Sequence, residues 1–539
     1  MRMNYSPIWI ALLLGIVAIG EVTAAESLRD VIDREVEAVW KREKIAPSPP
    51  ADDAEFLRRV YLDLAGSVPD YDETVAFLAD KSADKRAKLI DRLLDDPRYA
   101  QHQADVWDLI LFSRNPPGYD TDKREHFQTW LRTQFAENTP YDDWAGKILR
   151  AEGNTVDQGP PMFYVQYDRK PEDATEAITQ IFLGVQLQCA RCHDHPYEPW
   201  KQVDFYGMAA FVSRLSVVNV GKNGQTTKYA IGEKPSGDIL FTGPAKDQMP
   251  GQKGEPIGPK FLLGDKLKEP AAKETKEVKF EANKMPPAPP FSRKDALASW
   301  ITGETNPYFA KAAANRVWAQ FMGRGIVHPV DNMSPSNEAS HPELLATLAR
   351  ELASHNYDLK WYIRELVNSR TYQQSSRGGS GAELPQWFET ARTRPLSAEE
   401  LAEAWRIATG YAVVEKSSTA KKPDQGRFRP LESGYMLRYF GKPFNGAGDF
   451  QGGMQEHLYL NNGPMTNVIT SGKGSLVELL LKEKPQLAAD RFYLSLLNRP
   501  ATDVEREKIA AYVVGSKPEE RWREAIWAVI TSSEFRFNH

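Results

Sequence analysis

From about Ser27 to Leu215, apolar residues recur every three or four positions between charged ones, which predicts a succession of helices each burying one face. Asp84 to Leu94 is representative, with Leu89, Ile90, Leu93 and Leu94 forming one stripe. Asp96–Pro97 stops it, because proline disfavours the α conformation in the residue before it. Asp173 to Leu187 reads as another helix, with Ala177, Ile178, Ile181, Phe182 and Val185 at helical spacing, and it leads directly to Cys189. The pattern then breaks. Residues 221–290 hold 12 Lys and no Arg, with 10 Pro and 9 Gly, a composition poor in packing residues. Lys228–Ile231 and Asp238–Thr242 read there as short β pieces, and the remainder, ending in Met285–Pro290, as a mobile insertion and linker.

Helical periodicity returns at Ser292. Ser340–His341–Pro342–Glu343 predicts a helix start with proline in the first turn, followed by Leu344, Leu345, Leu348 and Leu352 on one face. Ser397–Glu400 and Thr502–Glu505 read as capping boxes, and Trp522 to Phe537 as an amphipathic terminal helix. The expected fold is therefore mainly α: a helical domain over 26–215, an insertion with short β pieces over 216–290, and a second helical domain over 291–539.

The N-terminus has a different character. Arg2, the apolar run Ile8–Ile19 and the small residues Val22–Ala25 predict a signal peptide over 1–25, with an uncleaved anchor as the alternative. Beyond it no run approaches the ~18 apolar residues of a membrane span. Composition narrows the partners: 68 basic against 73 acidic side chains give a formal charge of −5. That balance excludes the strongly cationic surface that neutralises phosphates, so nucleic acid is not expected. The chain is expected to work in the periplasm or at the cell surface.

There are only two cysteines, and they sit three residues apart in Cys189–Ala190–Arg191–Cys192–His193. A chain stabilised by disulfides would spread several along its length, so this pair has another purpose. Covalent haem attachment needs two thiols placed for the two vinyl groups and an imidazole directly after the second. The motif supplies that set, predicting one haem c with Cys189 and Cys192 as thioethers and His193 as the proximal iron ligand. His102, Met162 and Met208 are the candidates for the sixth iron position. Two other uses compete. A zinc site would draw on Cys189, Cys192, His193 and His195, but adjacent Cys192 and His193 face one ion poorly. A redox disulfide normally opens a helix near a βαβ unit, whereas here a helix precedes the pair. Tyr197, Trp200, Phe205, Tyr206, Met208 and Phe211 either wall a macrocycle or are ordinary core. Asp194 and His195 either orient His193 and a propionate or shape the loop. No serine-hydrolase elbow, zinc-protease motif or P-loop is present, and Gly446–Gly452 reads as a loop rather than a dinucleotide site.

Phe56–Gly66, Asp96–Tyr99 and Cys189–Tyr197 resemble the planctomycete cytochrome-type domain of unknown function, the PSCyt class. Asn315–Trp318, Gly323–Gly325, Ser340–Leu345, Asn368–Tyr372 and Ser533–His539 resemble its companion, the PSD class. The resemblance covers nearly all of the chain after residue 25. It implies an exported protein of a bacterial lineage rich in surface proteins and polysaccharide-degrading gene clusters, and hence a possible polysaccharide-associated role. It brings no established reaction. Asn315, Arg316, Arg324, His341 and Arg370 in the second half either line a substrate cleft, the arginines holding propionates, or fix helix packing as buried networks. Two functions follow. One is an exported haem protein serving a periplasmic or surface redox partner, in electron transfer or as a haem-dependent oxidoreductase. The other is a non-enzymatic scaffold or binding protein with a structural Cys/His metal or disulfide site.

Overall fold

Helix starts along the chain are written in single polar residues. Ser27 precedes α1 (Leu28–Glu43), Asp52 precedes α2 (Asp53–Ala65) and Asp70 precedes α3 (Tyr71–Ala79); each side chain accepts from backbone N–H groups in the first turn. Asp96 does the same for α5 (Pro97–Phe112), which follows α4 (Lys85–Leu94) with proline at its first turn. The stripe Leu89, Ile90, Leu93 and Leu94 is buried on α4, as its spacing requires. The computed structural model describes residues 26–113, 124–224, 226–241, 255–270, 284–285, 287–379, 385–411, 458–460, 472 and 474–539. The expected signal peptide and the Gly446–Gly452 loop lie outside the described residues.

The protein is mainly α, with only small antiparallel sheets among the described residues. Helices α6 (Glu125–Ala136), α7 (Tyr141–Leu149), α8 (Met162–Val165), α9 (Pro171–Ile178) and α10 (Gln202–Val212) complete the first half. The second half runs through α11 (Arg293–Ile301), α12 (Phe309–Met322), α13 (Pro342–Ser354), α14 (Leu359–Asn368) and α15 (Ala398–Ala408). Helices Leu476–Leu481, Pro485–Leu496, Asp503–Val513 and Pro518–Ile530 then form a C-terminal unit. Both expected capping boxes are present, at Ser397/Glu400 and Thr502/Glu505. The terminal helix departs from expectation: it starts earlier, at Pro518, and breaks at Thr531 before a separate turn, Ser533–Arg536. The Ser532 hydroxyl, which accepts from Phe535 N–H, starts that new turn.

The apolar core does not divide where composition suggests. One continuous cluster runs from Leu28 through Phe388, taking in Ala298, Trp318 and Leu348 from beyond the insertion. A second cluster joins Leu62 and Val68 of the first half to residues between Ala398 and Phe535. The insertion is likewise more than a linker. β2 (Leu215–Asn223) and β3 (Thr226–Glu233) form a hairpin, and β1 (Gly153–Asn154) adds to β3 on its other edge. β4 (Ile239–Phe241) pairs with β5 (Glu255–Ile257). Ile231, Ile239 and Leu262 are buried in the main core. A few buried apolar residues on and beside short strands are enough to dock this Lys-rich stretch on the core.

Candidate functional site

The Cys pair is delivered by a helix that stops early. α9 passes into a single π-turn at Thr179–Leu183, and Gly184 ends it in the left-handed region at φ 67°. Glycine suits that φ, and a Cβ would lie within a tight 3.2–3.3 Å of the Met333 side chain. The helix therefore does not run on to Leu187 as its apolar spacing suggests. Val185 and Leu187 turn inward, and Gln188–Arg191 forms a 3₁₀ turn pinned by fully buried Ala190.

In a 3₁₀ turn, positions three apart eclipse one another. That places Cys189 and Cys192 on the same side; both are exposed and neither is in a disulfide. Arg191 between them reaches back to α9, to Asp173 at 2.9 Å and Glu176 at 3.2 Å. Its carbonyl accepts from Gln202 Nε2 at 3.2 Å and the Tyr206 hydroxyl at 3.3 Å, both on α10. The backbone of the motif is thus clamped between two helices while its thiols face outward.

The two histidines of the loop are set in opposite tautomers. His193 Nδ1 lies 2.8 Å from the Asp194 carbonyl oxygen, which can only accept, so Nδ1 carries the hydrogen. Nε2 then keeps its lone pair, on an exposed ring. His195 Nδ1 instead accepts from the backbone N–H groups of Glu198 at 3.0 Å and Tyr197 at 3.3 Å, leaving the hydrogen on Nε2. His195 shapes the turn, and His193 is the ring available to a metal. Asp194 serves the loop as well, its carboxylate accepting from Gln202 N–H at 2.9 Å.

Residues from the second half of the chain underpin this loop. Met333 N–H donates to the Gly184 carbonyl at 2.7 Å, Gln186 donates to Asp331 at 3.0 Å, and Glu198 accepts from Ser334 at 2.8 Å and from Ser336. The aromatic residues near the motif divide: Trp200, Phe205, Tyr206 and Phe211 are packed into the core, whereas Tyr197 is 87% exposed. The three candidates for the sixth iron position are also interior. Met162 and Met208 are each 1% exposed. His102 packs over Gly66 and lies 4.0 Å from Glu400, where burial pushes its imidazole below the ordinary value. All three are enclosed, while Cys189, Cys192 and His193 lie at the surface. The two thiols and the free Nε2 fit covalent attachment and proximal ligation of a haem; within the motif Ala190 and Arg191 hold the turn, while neither thiol has a partner in it.

A second polar constellation, not anticipated from the sequence, lies where the two apolar clusters meet. Asp63 on α2 accepts from the Tyr372 hydroxyl, Asn538 Nδ2 and Arg394, each at 2.8 Å. The same guanidinium forks onto Glu400 at 2.7 and 2.8 Å. Burial alone would raise the Glu400 carboxyl, but Arg394 holds it below its ordinary value. The signal was present in Phe56–Ala65, ten residues buried in succession that include Arg58, Arg59 and Asp63. Three charges inside an apolar helix demand partners, though sequence alone does not say where they are.

The polar residues singled out in the second half are dispersed rather than gathered into a cleft. Asn315 exchanges two hydrogen bonds with the Val327 backbone, Arg316 donates to the Gln180 carbonyl, and Arg370 pairs with Asp33 and Glu37. Burial, with Arg392 nearby, lowers the pKa of Arg324. His341 precedes α13, its Nδ1 3.0 Å from the Ser340 hydroxyl and its buried Nε2 without a partner. Burial, with Arg42 nearby, pushes its pKa down to about 4. The unfolded chain therefore binds the proton first as pH falls below about 6.5. Stability is complete above that value and declines toward pH 4, by on the order of 3 kcal/mol from this group. His341→Phe is expected to flatten the difference in urea midpoint between pH 6.5 and 4; an unchanged slope refutes the assignment.

Residues 31–216 match the family PSCyt2, described as a protein of unknown function (DUF1549). Residues 293–436 match PSD1, described as a protein of unknown function (DUF1553). The chain carries a PSCyt2 domain followed by a PSD1 domain. No curated protein and no solved structure matches it. The PSCyt2 segment contains the Cys pair and both loop histidines, while the residues that brace the loop, Asp331 to Ser336, belong to the PSD1 segment. The two family segments thus share one apolar core, and both supply residues to the loop that carries the Cys pair.

Proposed function

We propose that this PSCyt2–PSD1 protein is an exported c-type haem protein that exchanges electrons with a partner at the periplasm or cell surface. Cys189 and Cys192 would hold one haem through thioethers, and His193 Nε2 would ligate its iron. The supporting observation is the tautomer of His193: Asp194 fixes the hydrogen on Nδ1 and leaves the lone pair outward, beside two accessible thiols. A zinc site is less well served, because among the described residues no three His, Cys, Asp or Glu side chains are grouped to hold an ion.

When bound, the haem supplies reversible one-electron chemistry. The chain's own part is to present the thiols to the attachment machinery, orient the His193 ring and keep the loop stiff through Arg191, Gln202 and Glu198. The open position of the motif favours electron exchange with a docked partner over chemistry in a closed cavity. Export is supported by the N-terminal pattern of charge, apolar run and small residues. The test is a reduced-minus-oxidised absorption spectrum of protein purified from the periplasm of a host with cytochrome c maturation. A c-type Soret and α-band pair that cycles with dithionite and ferricyanide is expected. A featureless spectrum refutes the proposal and returns the Cys pair to a structural role.

A further inference from the structure

The π-turn that ends α9 shifts the backbone register by one residue, and the other family segment answers the shift. In an α-helix the Gly184 N–H would donate to the Gln180 carbonyl, four residues back. Here the Gly184 and Val185 N–H groups both donate to Thr179 instead, the latter at 3.0 Å. The π-turn thus takes from Gln180 the donor that an α-helix would give it. Arg316 Nη2, on α12, donates to that carbonyl at 3.1 Å.

Arg316 has little else to do. It is 8% exposed, its Nε is buried without a partner, and among the described residues its one hydrogen bond is to Gln180. It forms no ion pair there; Asp331, whose charge reaches it, is hydrogen-bonded to Gln186 at 3.0 Å. A buried guanidinium without a counter-ion is costly, and the bond set against that cost is made to this turn. Ala312, one helical turn earlier on the same face of α12, sits so close that a Cβ at 184 would lie 3.4 Å from its own Cβ. One face of α12 therefore grips both the freed carbonyl and the glycine that follows it.

We infer that Arg316 is a positioning residue for the Cys pair, and through it for the haem of the proposed function, on which this role rests: it holds the end of α9 in the π register and so sets the direction in which Cys189 and Cys192 face. Were Gly184 to return to the Gln180 carbonyl, the chain beyond it would rotate by about 100°, one residue of helix. Val185 and Leu187 would then turn away from the core in which both are buried. The Arg191 carbonyl would be drawn from Gln202 and Tyr206, which clamp it to α10.

The experiment uses the full chain made without haem, so its result does not depend on the pair carrying one. R316M keeps the apolar stem and removes the donor; R316K restores a single cationic donor, enough for one carbonyl. Hydrogen exchange read by mass spectrometry is expected to quicken roughly tenfold or more in R316M across residues 184–193, the order for losing one hydrogen bond from a charged donor, and R316K is expected to recover most of the protection. The C-terminal helices Pro485–Leu496 and Pro518–Ile530 should exchange as in the parent, which shows that R316M is folded. Iodoacetamide, followed by peptide mapping, should label Cys189 and Cys192 at altered relative rates in R316M and at the parent's in R316K, because the exposure of each thiol follows the turn. Unchanged exchange at 184–193 overturns the inference, as does a rise shared equally with the C-terminal helices, or relative labelling that R316M leaves as it was. A parent chain that never takes up haem refutes the proposed function instead, and leaves these readouts to decide the role of Arg316.

Discussion

Arg394→Ala is expected to cost about 3–5 kcal/mol of folding stability, the range for removing one partner of a buried ion pair. Asp63 and Glu400 are each about as enclosed as any apolar core residue, and Arg394 is the cation bonded to both. With the guanidinium gone, Asp63 retains only Tyr372 and Asn538, and Glu400 retains the Ser397 backbone N–H. Two carboxylates would then share a site in which the His102 imidazole, 4.0 Å from Glu400, is the nearest group able to become cationic, and one member of the cluster would have to take up a proton. Arg394→Lys is expected to recover only part of the loss, because an ammonium cannot reach two carboxylates through a planar fork. Urea unfolding at neutral pH measures both. A change within 1 kcal/mol for Arg394→Ala would show that the network does not join the two cores, a claim resting on Asp63 in α2 and Glu400 in α15.

The second large effect separates chemistry from stability. Replacing both Cys189 and Cys192 with Ser is expected to abolish covalent haem entirely, as read by haem-peroxidase staining of a denaturing gel. The urea midpoint of the protein made without haem should move by no more than about 0.5 kcal/mol equivalent, the range for exposed substitutions. The structure gives the reason: both thiols are exposed and unpaired, and the turn is held by Ala190, Arg191 and Gln202 instead. A structural metal or disulfide site predicts the reverse, with a clear loss of stability and no haem to lose.

What could be read from the sequence was local. The stripe on α4, the proline start of α13 and the capping boxes at Ser397 and Thr502 depend on residues within one or two turns, and the structure contains all of them. The extent of α9 was not legible, because it passes into a π-turn and ends at left-handed Gly184, whose carbonyl accepts from Met333 N–H far along the chain. The boundary of the cores was not legible either. The composition of 221–290 suggests a linker, yet Ile231 and Ile239 sit on short strands that lie on the core. At the candidate site, the Cys pair and His193 were plain from spacing. Which loop histidine keeps its lone pair was not, since it depends on whether Nδ1 faces a carbonyl or an N–H. The aromatic residues after the motif had two readings, and burial assigns Trp200, Phe205 and Phe211 to the core. The Asp63 network joins positions 331 residues apart, beyond any local pattern.

Covalent haem shows most directly in the mass of the mature polypeptide. Intact-mass spectrometry of the protein, recovered from the periplasm of cells that assemble cytochromes c, should show the chain plus one haem, and peptide mapping should place the adduct on Cys189 and Cys192. A mature chain at its bare polypeptide mass, from cells whose own cytochromes are fully loaded, would contradict it.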